Sequence, residues 1–220
     1  MRVFATIAAT VAVLFGVAHA AAVTVANNDF EDPYSLENGG NQGLWAYGAS
    51  GWEGEGTAGT WEYPDSLFPN APASTGDRIA FVNAGGSLSQ DLGVVVESGV
   101  DYTLSALFGH RGNKNDFAGS FGFYIGDPAD ALFIGLTAIT DPGLGLFASQ
   151  SVTVTAAMLQ DYIGQQLGIV FIGEDGQVNF DNVQVMAYGD VLEQPLPGAV
   201  WLFASALVAG GIAKRRKKKA

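Results

Sequence analysis

The sequence predicts an all-β fold, an antiparallel β-sandwich with one short helix. Apolar and polar residues alternate with a period of two in several separate segments, such as 101–108 and 121–125, as they do in half-buried strands. Turn-forming sequences such as Asp-Pro and Asp-Pro-Gly separate these segments. Only 156–165 has a helical pattern, so strands must supply nearly all of the core.

The predicted strands follow one another from residue 23 to residue 187. In chain order they are 23–26, 59–63, 78–83, 87–92, 101–108, 121–125, 131–140, 151–154, 167–172 and 177–187. Thr155 is placed to cap the helix, and Gly164 lies near its end. In the last strand the apolar positions change from even to odd numbers at Asp181 and Asn182, which predicts a β-bulge there.

The N-terminus has the pattern of a secretory signal peptide. Arg2 is followed by the uninterrupted apolar run 3–18 and then by Ala18-His19-Ala20, which has the spacing of a small-residue cleavage site. Residues 1–20 are therefore predicted to be removed, leaving one β-sandwich domain at 21–190. A retained N-terminal membrane helix is the alternative.

The C-terminus predicts a single transmembrane helix. Residues 196–213 carry no charge, and as a helix they would extend about 27 Å, close to the thickness of a thin hydrocarbon layer. We assign 191–197 to a linker and sorting motif, 198–213 to the helix and 214–220 to a basic tail. By the positive-inside rule the tail lies in the cytoplasm and the β-sandwich domain on the other side of the membrane.

The order of a proline motif, an apolar helix and a basic cluster resembles the sorting tail of the PEP-CTERM family in its VPLPA-like variant. The matching motif residues are Pro195, Leu196, Pro197, Gly198 and Ala199. The resemblance implies cleavage near the motif by an exosortase-type membrane transpeptidase, in Gram-negative bacteria that make exopolysaccharide. It also implies export across the inner membrane to the cell envelope, cell surface or extracellular matrix. Because the usual Pro-Glu-Pro is absent, a plain single-span anchor is the alternative.

Charge is distributed very unevenly along the chain. All 22 acidic residues lie in 21–194, where only Arg78, Arg111 and Lys114 are basic, so this part has a formal net charge of −19. Such a surface repels nucleic acid and anionic lipid, and we expect no nucleic-acid partner. It favours divalent cations and neutral or cationic partners, although some secreted or salt-adapted proteins are this acidic without a specific reason. The chain has no cysteine, so its stability must come from a core or a metal.

Three short segments resemble jelly-roll carbohydrate-binding modules of the galactose-binding-like class. They are Asn27 with Phe30-Glu31, Gly51-Trp52, and Phe180-Asp181-Asn182-Val183. The resemblance implies a structural Ca²⁺ where the first and last strands meet, with Glu31 and Asp181 as its side-chain ligands. Carboxylates beside unpaired carbonyls at a bulge form the oxygen-rich site that suits Ca²⁺. In the alternative interpretation, Glu31 caps the turn after it and Asp181 bonds backbone amides.

Aromatic residues cluster in loop-like sequence between 45 and 63. A pyranose ring stacks on an exposed indole while nearby amides and carboxylates bind its hydroxyl groups. The candidate ligand-binding residues are therefore Trp45, Trp61, Tyr63 and Glu62, with an extracellular polysaccharide as the partner. Trp52 belongs to a Gly-Trp pair and is expected to pack against the core.

Catalytic motifs are weak in this sequence. His110 is the only histidine after residue 20, and there is no Gly-x-Ser-x-Gly sequence to accompany it. Glu53, Glu55 and Glu62 are conceivable glycosidase carboxylates, but their glycine-rich setting is poorly suited to a rigid site. The sequence therefore predicts a non-catalytic exported protein that binds carbohydrate through a calcium-stabilised jelly roll. The alternative is a structural matrix or adhesion protein that associates through divalent ions and binds no defined sugar.

Overall fold

The computed structural model describes residues 19–32, 37–38, 44–72 and 75–189. Apart from His19 and Gly189, these residues belong to a single unit, Ala20–Tyr188. Residues 1–18 of the predicted signal peptide, and the predicted linker, sorting motif, transmembrane helix and basic tail in 191–220, lie outside the described residues. In the described ranges, no helix is long and apolar enough to cross a membrane.

The described residues are mostly antiparallel β-structure with one short α-helix, which confirms the predicted fold class. The strands are β1 (His19–Val23), β2 (Glu37–Asn38), β3 (Leu44–Tyr47), β4 (Glu53–Glu55), β5 (Ala58–Glu62), β6 (Arg78–Asn83), β7 (Ser87–Val95), β8 (Val100–Gly109), β9 (Phe117–Ile125), β10 (Leu132–Ala138), β11 (Phe147–Val154) and β12 (Gln166–Gly189). The helix α1 is Ala156–Leu159, and 3₁₀ turns cover Pro128–Asp130 and Gln160–Tyr162. Thr155 caps α1 as predicted, since its side chain accepts a hydrogen bond from the Met158 amide.

The long strand β12 divides the strands into two sheets. We call the sheet of β2, β3, β5, β6, β8, β11 and the C-terminal half of β12 the front sheet. The back sheet contains β4, β7, β9, β10 and the N-terminal half of β12. β12 pairs with β6 and β8 in the front sheet and with β7 and β9 in the back sheet, and β1 also pairs with it.

Two predicted strands, 167–172 and 177–187, are therefore parts of one strand. The sequence Glu174-Asp175-Gly176 between them predicts a turn, but the chain continues in extended form with a register shift between Gly173 and Asp175. Gly176 has a φ of 72° and accommodates the irregularity. Pairing with neighbours on both sides keeps the backbone extended where local turn chemistry alone would reverse it.

Aromatic side chains fill the space between the two sheets. Phe171 and Phe180, both on β12, stack with ring centroids 4.0 Å apart, and Phe108 packs beside them. Trp52 joins this core as expected, and its indole nitrogen donates to the Ala26 carbonyl. Stacked and edge-to-face ring pairs stabilise a core beyond the area they bury.

The predicted bulge lies at the C-terminal end of this core. Val178 and Phe180 are buried on one side of it, and Val183 and Val185 on the other, so the buried apolar positions change from even to odd numbers. Asn182 has a positive φ of 50°, and this irregularity shifts the alternation of buried and exposed side chains by one residue. The amide of Val183 then donates to the Asn28 carbonyl, so the bulge joins the last strand to the segment after β1.

Candidate functional site

The outer face of the front sheet carries a cavity of about 300 Å³, which we call the aromatic cavity. Trp45 on β3 and Trp61 on β5 are directly opposite in the strand register, so their side chains lie on the same face. Tyr47 follows Trp45 by two residues and contacts it edge to face, with ring centroids 4.8 Å apart. The residues that line the cavity are Trp45, Tyr47, Trp61, Phe81, Asn83, Arg111 and Gln177.

The segment between β5 and β6 supports one side of this cavity. Leu67 and Phe68 belong to a buried cluster with Trp61, and Phe68 lies 6.0 Å from the Trp61 ring. Trp61 is only 3% exposed, whereas Trp45 is half-buried and Tyr47 is 56% exposed. The cavity therefore has a rigid aromatic floor at Trp61 and a more accessible rim at Tyr47.

Arg111 forms the polar wall of the aromatic cavity. Its guanidinium lies over the Trp61 ring, 4.5 Å from the centroid, where the cation is attracted to the ring face. Nη1 donates to Gln177 Oε1 at 2.9 Å and Nε donates to Asn113 Oδ1 at 3.0 Å. Burial lowers the pKa of Arg111 from its ordinary value. A fixed positive charge is thus held beside the aromatic floor.

His110 fixes the loop that carries Arg111. The imidazole is buried, Nδ1 bonds Asp141 Oδ1 at 2.8 Å, and Nε2 bonds the Lys114 carbonyl at 3.1 Å. The Phe117 ring packs on it at 4.9 Å. These contacts tie the start and end of the loop together, so His110 positions Arg111 from a place outside the cavity lining.

The structure separates the four predicted ligand-binding residues into two groups. Trp45 and Trp61 line the aromatic cavity. Tyr63 packs against Trp61 and Phe68, its hydroxyl bonds Thr75 Oγ1 at 2.8 Å, and burial raises its pKa. Glu62 follows Trp61 directly and so points to the opposite face of β5, where its carboxylate lies 4.0 Å from Arg78.

Sequence reasoning missed five lining residues, namely Tyr47, Phe81, Asn83, Arg111 and Gln177. The period-two rule places Tyr47 on the face of Trp45, and the same rule places Phe81 and Asn83 together on β6. No local signal connects Arg111 or Gln177 to these strands, because the loop after β8 and the middle of β12 reach the cavity through long-range pairing.

Glu31 and Asp181, the predicted metal ligands, lie close enough for their charges to interact. Glu31 Oε1 accepts from the amides of Asp77 and Arg78, both at 2.9 Å. Asp181 is fully buried; Oδ1 accepts from the Asn182 amide, while Oδ2 has no hydrogen-bond partner among the described residues. Burial, and then the charges of Glu31 and Asp29, raise the pKa of Asp181 to about 8. A buried carboxyl oxygen without a partner is costly, and a cation would satisfy it.

The backbone around these two carboxylates is strained in three places. Asn27, Phe30 and Asn182 have φ values of 44°, 55° and 50°, a conformation that residues with side chains rarely adopt. Within the described ranges, no group of three or more His, Cys, Asp or Glu side chains forms a metal site. Two carboxylates supply oxygen donors, the ligand type that Ca²⁺ binds in proteins.

Comparison with known proteins identifies the family. Residues 21–186 match the HpiC1-like family, described as HpiC1 cyclase. The fold is shared with the Stig cyclase Fisc from Fischerella sp. TAU in complex with (3Z)-3-(1-methyl-2-pyrrolidinylidene)-3H-indole, which is 21% identical over 78% of this chain and 99% of that chain, with a TM-score of 0.64. A cyclase from the same organism in complex with 4-(1H-indol-3-yl)butan-2-one is 20% identical over 77% and 98%, with a TM-score of 0.60.

Carbohydrate-binding modules with jelly-roll folds are also among the structural matches. The CBM22-2 xylan-binding domain from Paenibacillus barcinonensis is 10% identical over 62% of this chain and 91% of that chain, with a TM-score of 0.42. No curated protein matches this sequence.

The family match overturns the functional expectation from the sequence. The prediction of a non-catalytic carbohydrate binder is wrong, and so is the alternative of a matrix or adhesion protein, because the matching family and structures are cyclases. The reasoning failed because it sought nucleophilic triads and glycosidase carboxylates, whereas ring closure can be promoted by a shaped cavity without a covalent nucleophile. The chain belongs to the HpiC1-like cyclase family.

Proposed function

We propose that this protein is a cyclase that binds its substrate in the aromatic cavity and closes a ring within it. Two observations support the proposal together. The family match covers nearly the whole β-sandwich, and three aromatic residues, Trp45, Tyr47 and Trp61, lie side by side on one concave part of the front sheet. The family match gives the type of reaction, and the aromatic cavity is the place on this chain where we propose that it occurs.

The substrate class that fits the cavity is a compound with an indole or similar aromatic ring and a flexible chain. The ligands named for the two Fischerella cyclases both contain an indole. Here such a ring would pack against Trp45 and Trp61 in offset or edge-to-face contacts. The side-chain amides of Asn83 and Gln177 provide donors and acceptors for an indole N–H or a carbonyl group.

The cavity promotes ring closure chiefly by holding the two reacting parts of one molecule together. Pre-organised reacting groups gain effective molarities of about 10⁵ M or more. As the new bond forms, the aromatic face of Trp45 stabilises the atom that loses electron density. The charge of Arg111, held by Gln177 and Asn113, stabilises the atom that gains it. No atom leaves the substrate, so product and substrate have the same mass.

Binding of 4-(1H-indol-3-yl)butan-2-one, measured by titration calorimetry, tests the assignment of the cavity. Trp45→Ala is expected to weaken binding by about tenfold or more, because a contacting indole contributes upwards of 1 kcal/mol. Trp45 is only half-buried, so the variant should remain folded. Tyr188→Ala removes an exposed aromatic residue outside the cavity lining and is the matched control.

Turnover is tested with indoles that carry an unsaturated chain. The measurement is the appearance of a product that has the same mass as the substrate and one more ring. The Trp45→Ala variant should lose this activity while Tyr188→Ala retains it. Equal binding and equal turnover in the wild-type and Trp45→Ala proteins would place the reaction elsewhere.

A calcium ion held by Glu31 and Asp181 is the second part of the proposal. Three observations support it: Asp181 Oδ2 has no hydrogen-bond partner in the described part of the chain, the two carboxylates repel each other, and the backbone around them is strained. When bound, the ion supplies positive charge that neutralises both carboxylates. Glu31 and Asp181 then join the segment after β1 to the bulge in β12, so their role is to stabilise the sandwich.

Export is the third part of the proposal. The apolar run at 3–18 with its small-residue site, and the acidic charge of 21–194, support secretion of the domain. The tail after Pro195 supports recognition by an exosortase-type transpeptidase. The cyclase would then act in the cell envelope or outside the cell, and the membrane would be a partner only until the tail is processed.

A further inference from the structure

A second cavity lies on the outer face of the back sheet. It has a volume of about 260 Å³, and we call it the back cavity. Phe133, Val170 and Ile172 form its apolar side, and Glu53, Glu55 and Tyr124 are among its polar lining. None of its lining residues lines the aromatic cavity.

The strand register places two carboxylates at one side of the back cavity. On β4, Glu53 pairs with Ser89 of β7 and Glu55 pairs with Ser87. The same two serines pair on their other side with Val170 and Ile172 of β12. Directly opposed residues share a face of the sheet, so both carboxylates and the two apolar residues project to the same side.

Tyr124 gives an independent indication of a ligand. It is 1% exposed, and its hydroxyl has no hydrogen-bond partner among the described residues although the residue lines the cavity. The ring lies across Gly168, where any Cβ would overlap it. Burial, followed by the charges of Asp91, Glu53 and Asp127, raises the pKa of Tyr124, so the phenol stays protonated and acts as a donor. A buried donor without an acceptor is the kind of atom that a ligand satisfies.

The charge of the back cavity is unbalanced within the described part of the chain. Glu53 and Glu55 are exposed, and no Lys or Arg is among the residues that line this cavity. Arg78 instead lies near Glu62, and Arg111 belongs to the aromatic cavity. The two carboxylates attract a positively charged ligand, and the apolar side favours an organic cation over a hydrated metal ion.

We propose that the back cavity binds a small organic ammonium compound with an apolar or aromatic body and an oxygen at its far end. Its ammonium group lies between Glu53 and Glu55, its body packs on Phe133, Val170 and Ile172, and Tyr124 donates to its oxygen. This site is separate from the proposed cyclisation site and does not depend on it.

Tyramine is the probe that tests the proposal, because it has an ammonium group, an aromatic body and a phenol oxygen. In titration calorimetry with the full chain, tyramine is expected to bind with one-to-one stoichiometry. Its neutral analogue tyrosol, in which a hydroxyl replaces the amine, should bind about tenfold more weakly or worse, because it forms no charge-assisted bonds. Tyrosol binding as tightly as tyramine would overturn the proposal.

Charge-neutral variants test which residues hold the probe. Glu53→Gln with Glu55→Gln should weaken tyramine binding by about tenfold, since each exposed ion pair contributes modestly. Glu97→Gln with Asp161→Asn removes two exposed carboxylates outside the cavity and should leave the affinity unchanged. Tyr124→Phe should weaken binding of tyramine but not of phenethylamine, which has no oxygen.

Trp45→Ala distinguishes tyramine binding in the back cavity from indole binding in the aromatic cavity. The variant should bind tyramine like the wild type, whatever its effect on indole binding. Loss of tyramine binding in Trp45→Ala, or unchanged binding in the double Gln variant, would place the probe outside the back cavity. Displacement of tyramine by Ca²⁺ that depends on Glu53 and Glu55 would indicate a metal site instead, which also contradicts the proposal.

Discussion

At the scale of single residues, Asp181 has the most unusual environment in the described part of the chain. It is a fully buried acid whose pKa is raised to about 8, and one of its oxygens has no hydrogen-bond partner among the residues that the structure describes. The folded protein therefore holds this proton over a pH range in which the unfolded chain, with an ordinary value of 3.8, has lost it. Stability and protonation are linked through this difference.

Metal-free protein should lose stability as the pH rises from about 4 to about 8, by roughly 1.4 kcal/mol for each unit of pKa difference. The contribution of protonated Asp181 is complete below the unfolded value and is lost as the pH passes the folded value. Ca²⁺ should restore stability at pH 8, because it binds the ionised carboxylate. Urea unfolding followed by tryptophan fluorescence, with EGTA or with Ca²⁺, measures both effects.

Asp181→Asn is the informative variant for this prediction. It should flatten the pH dependence in EGTA and remove the response to Ca²⁺. Asp161→Asn, which changes an exposed carboxylate, should behave like the wild type. A calcium response that persists in Asp181→Asn would show that the ion binds without this residue.

At the scale of the elements, close packing across the back sheet depends on Gly168 of β12. It pairs with Tyr124 of β9 on one side and Asp91 of β7 on the other, and the tyrosine ring occupies the space above it. A side chain at this position would displace Tyr124 from the wall of the back cavity. Glycine in the middle of a strand here reflects the close approach of a neighbouring ring.

Gly168→Ala is expected to destabilise the protein by about 2 kcal/mol through overpacking. Gly54→Ala is a matched control, because its Cβ would meet Leu88 Cδ2 at 3.4 Å and Gly48 Cα at 3.8 Å, both ordinary contacts, and its φ is not in the left-handed region. Thermal unfolding by circular dichroism compares the two. If both substitutions lowered the midpoint equally, the effect would come from the loss of glycine and not from Tyr124.

At the scale of the whole molecule, removal of the signal peptide and processing of the C-terminal tail are still predictions. Intact mass of the protein recovered from its host is expected to show loss of residues 1–20 and of the segment beyond Pro195. Export and exosortase processing would each remove mass from one end. A full-length chain found in the cytosol would contradict both.

The fold class, the cap at Thr155 and the bulge at Asp181–Asn182 were predictable because each depends on a short stretch of sequence. The aromatic cavity was only partly predictable. Trp45 and Trp61 were identified from their clustering, but Arg111 and Gln177 reach the cavity through pairing between distant strands. Glu62 lies on the face of β5 opposite Trp61, because side chains alternate along a strand, and its role as a ligand-binding residue stays a prediction.

The central place of β12 in both sheets has a consequence for how this protein is made. The strands that precede β12 cannot complete either sheet, because β6, β7, β8 and β9 all pair with β12. A nascent chain without residues 166–189 would have unpaired edges in both layers, the condition that promotes aggregation. Folding of the sandwich must therefore follow synthesis of its final strand, and a chain that is secreted while unfolded would reach its destination before its core closes.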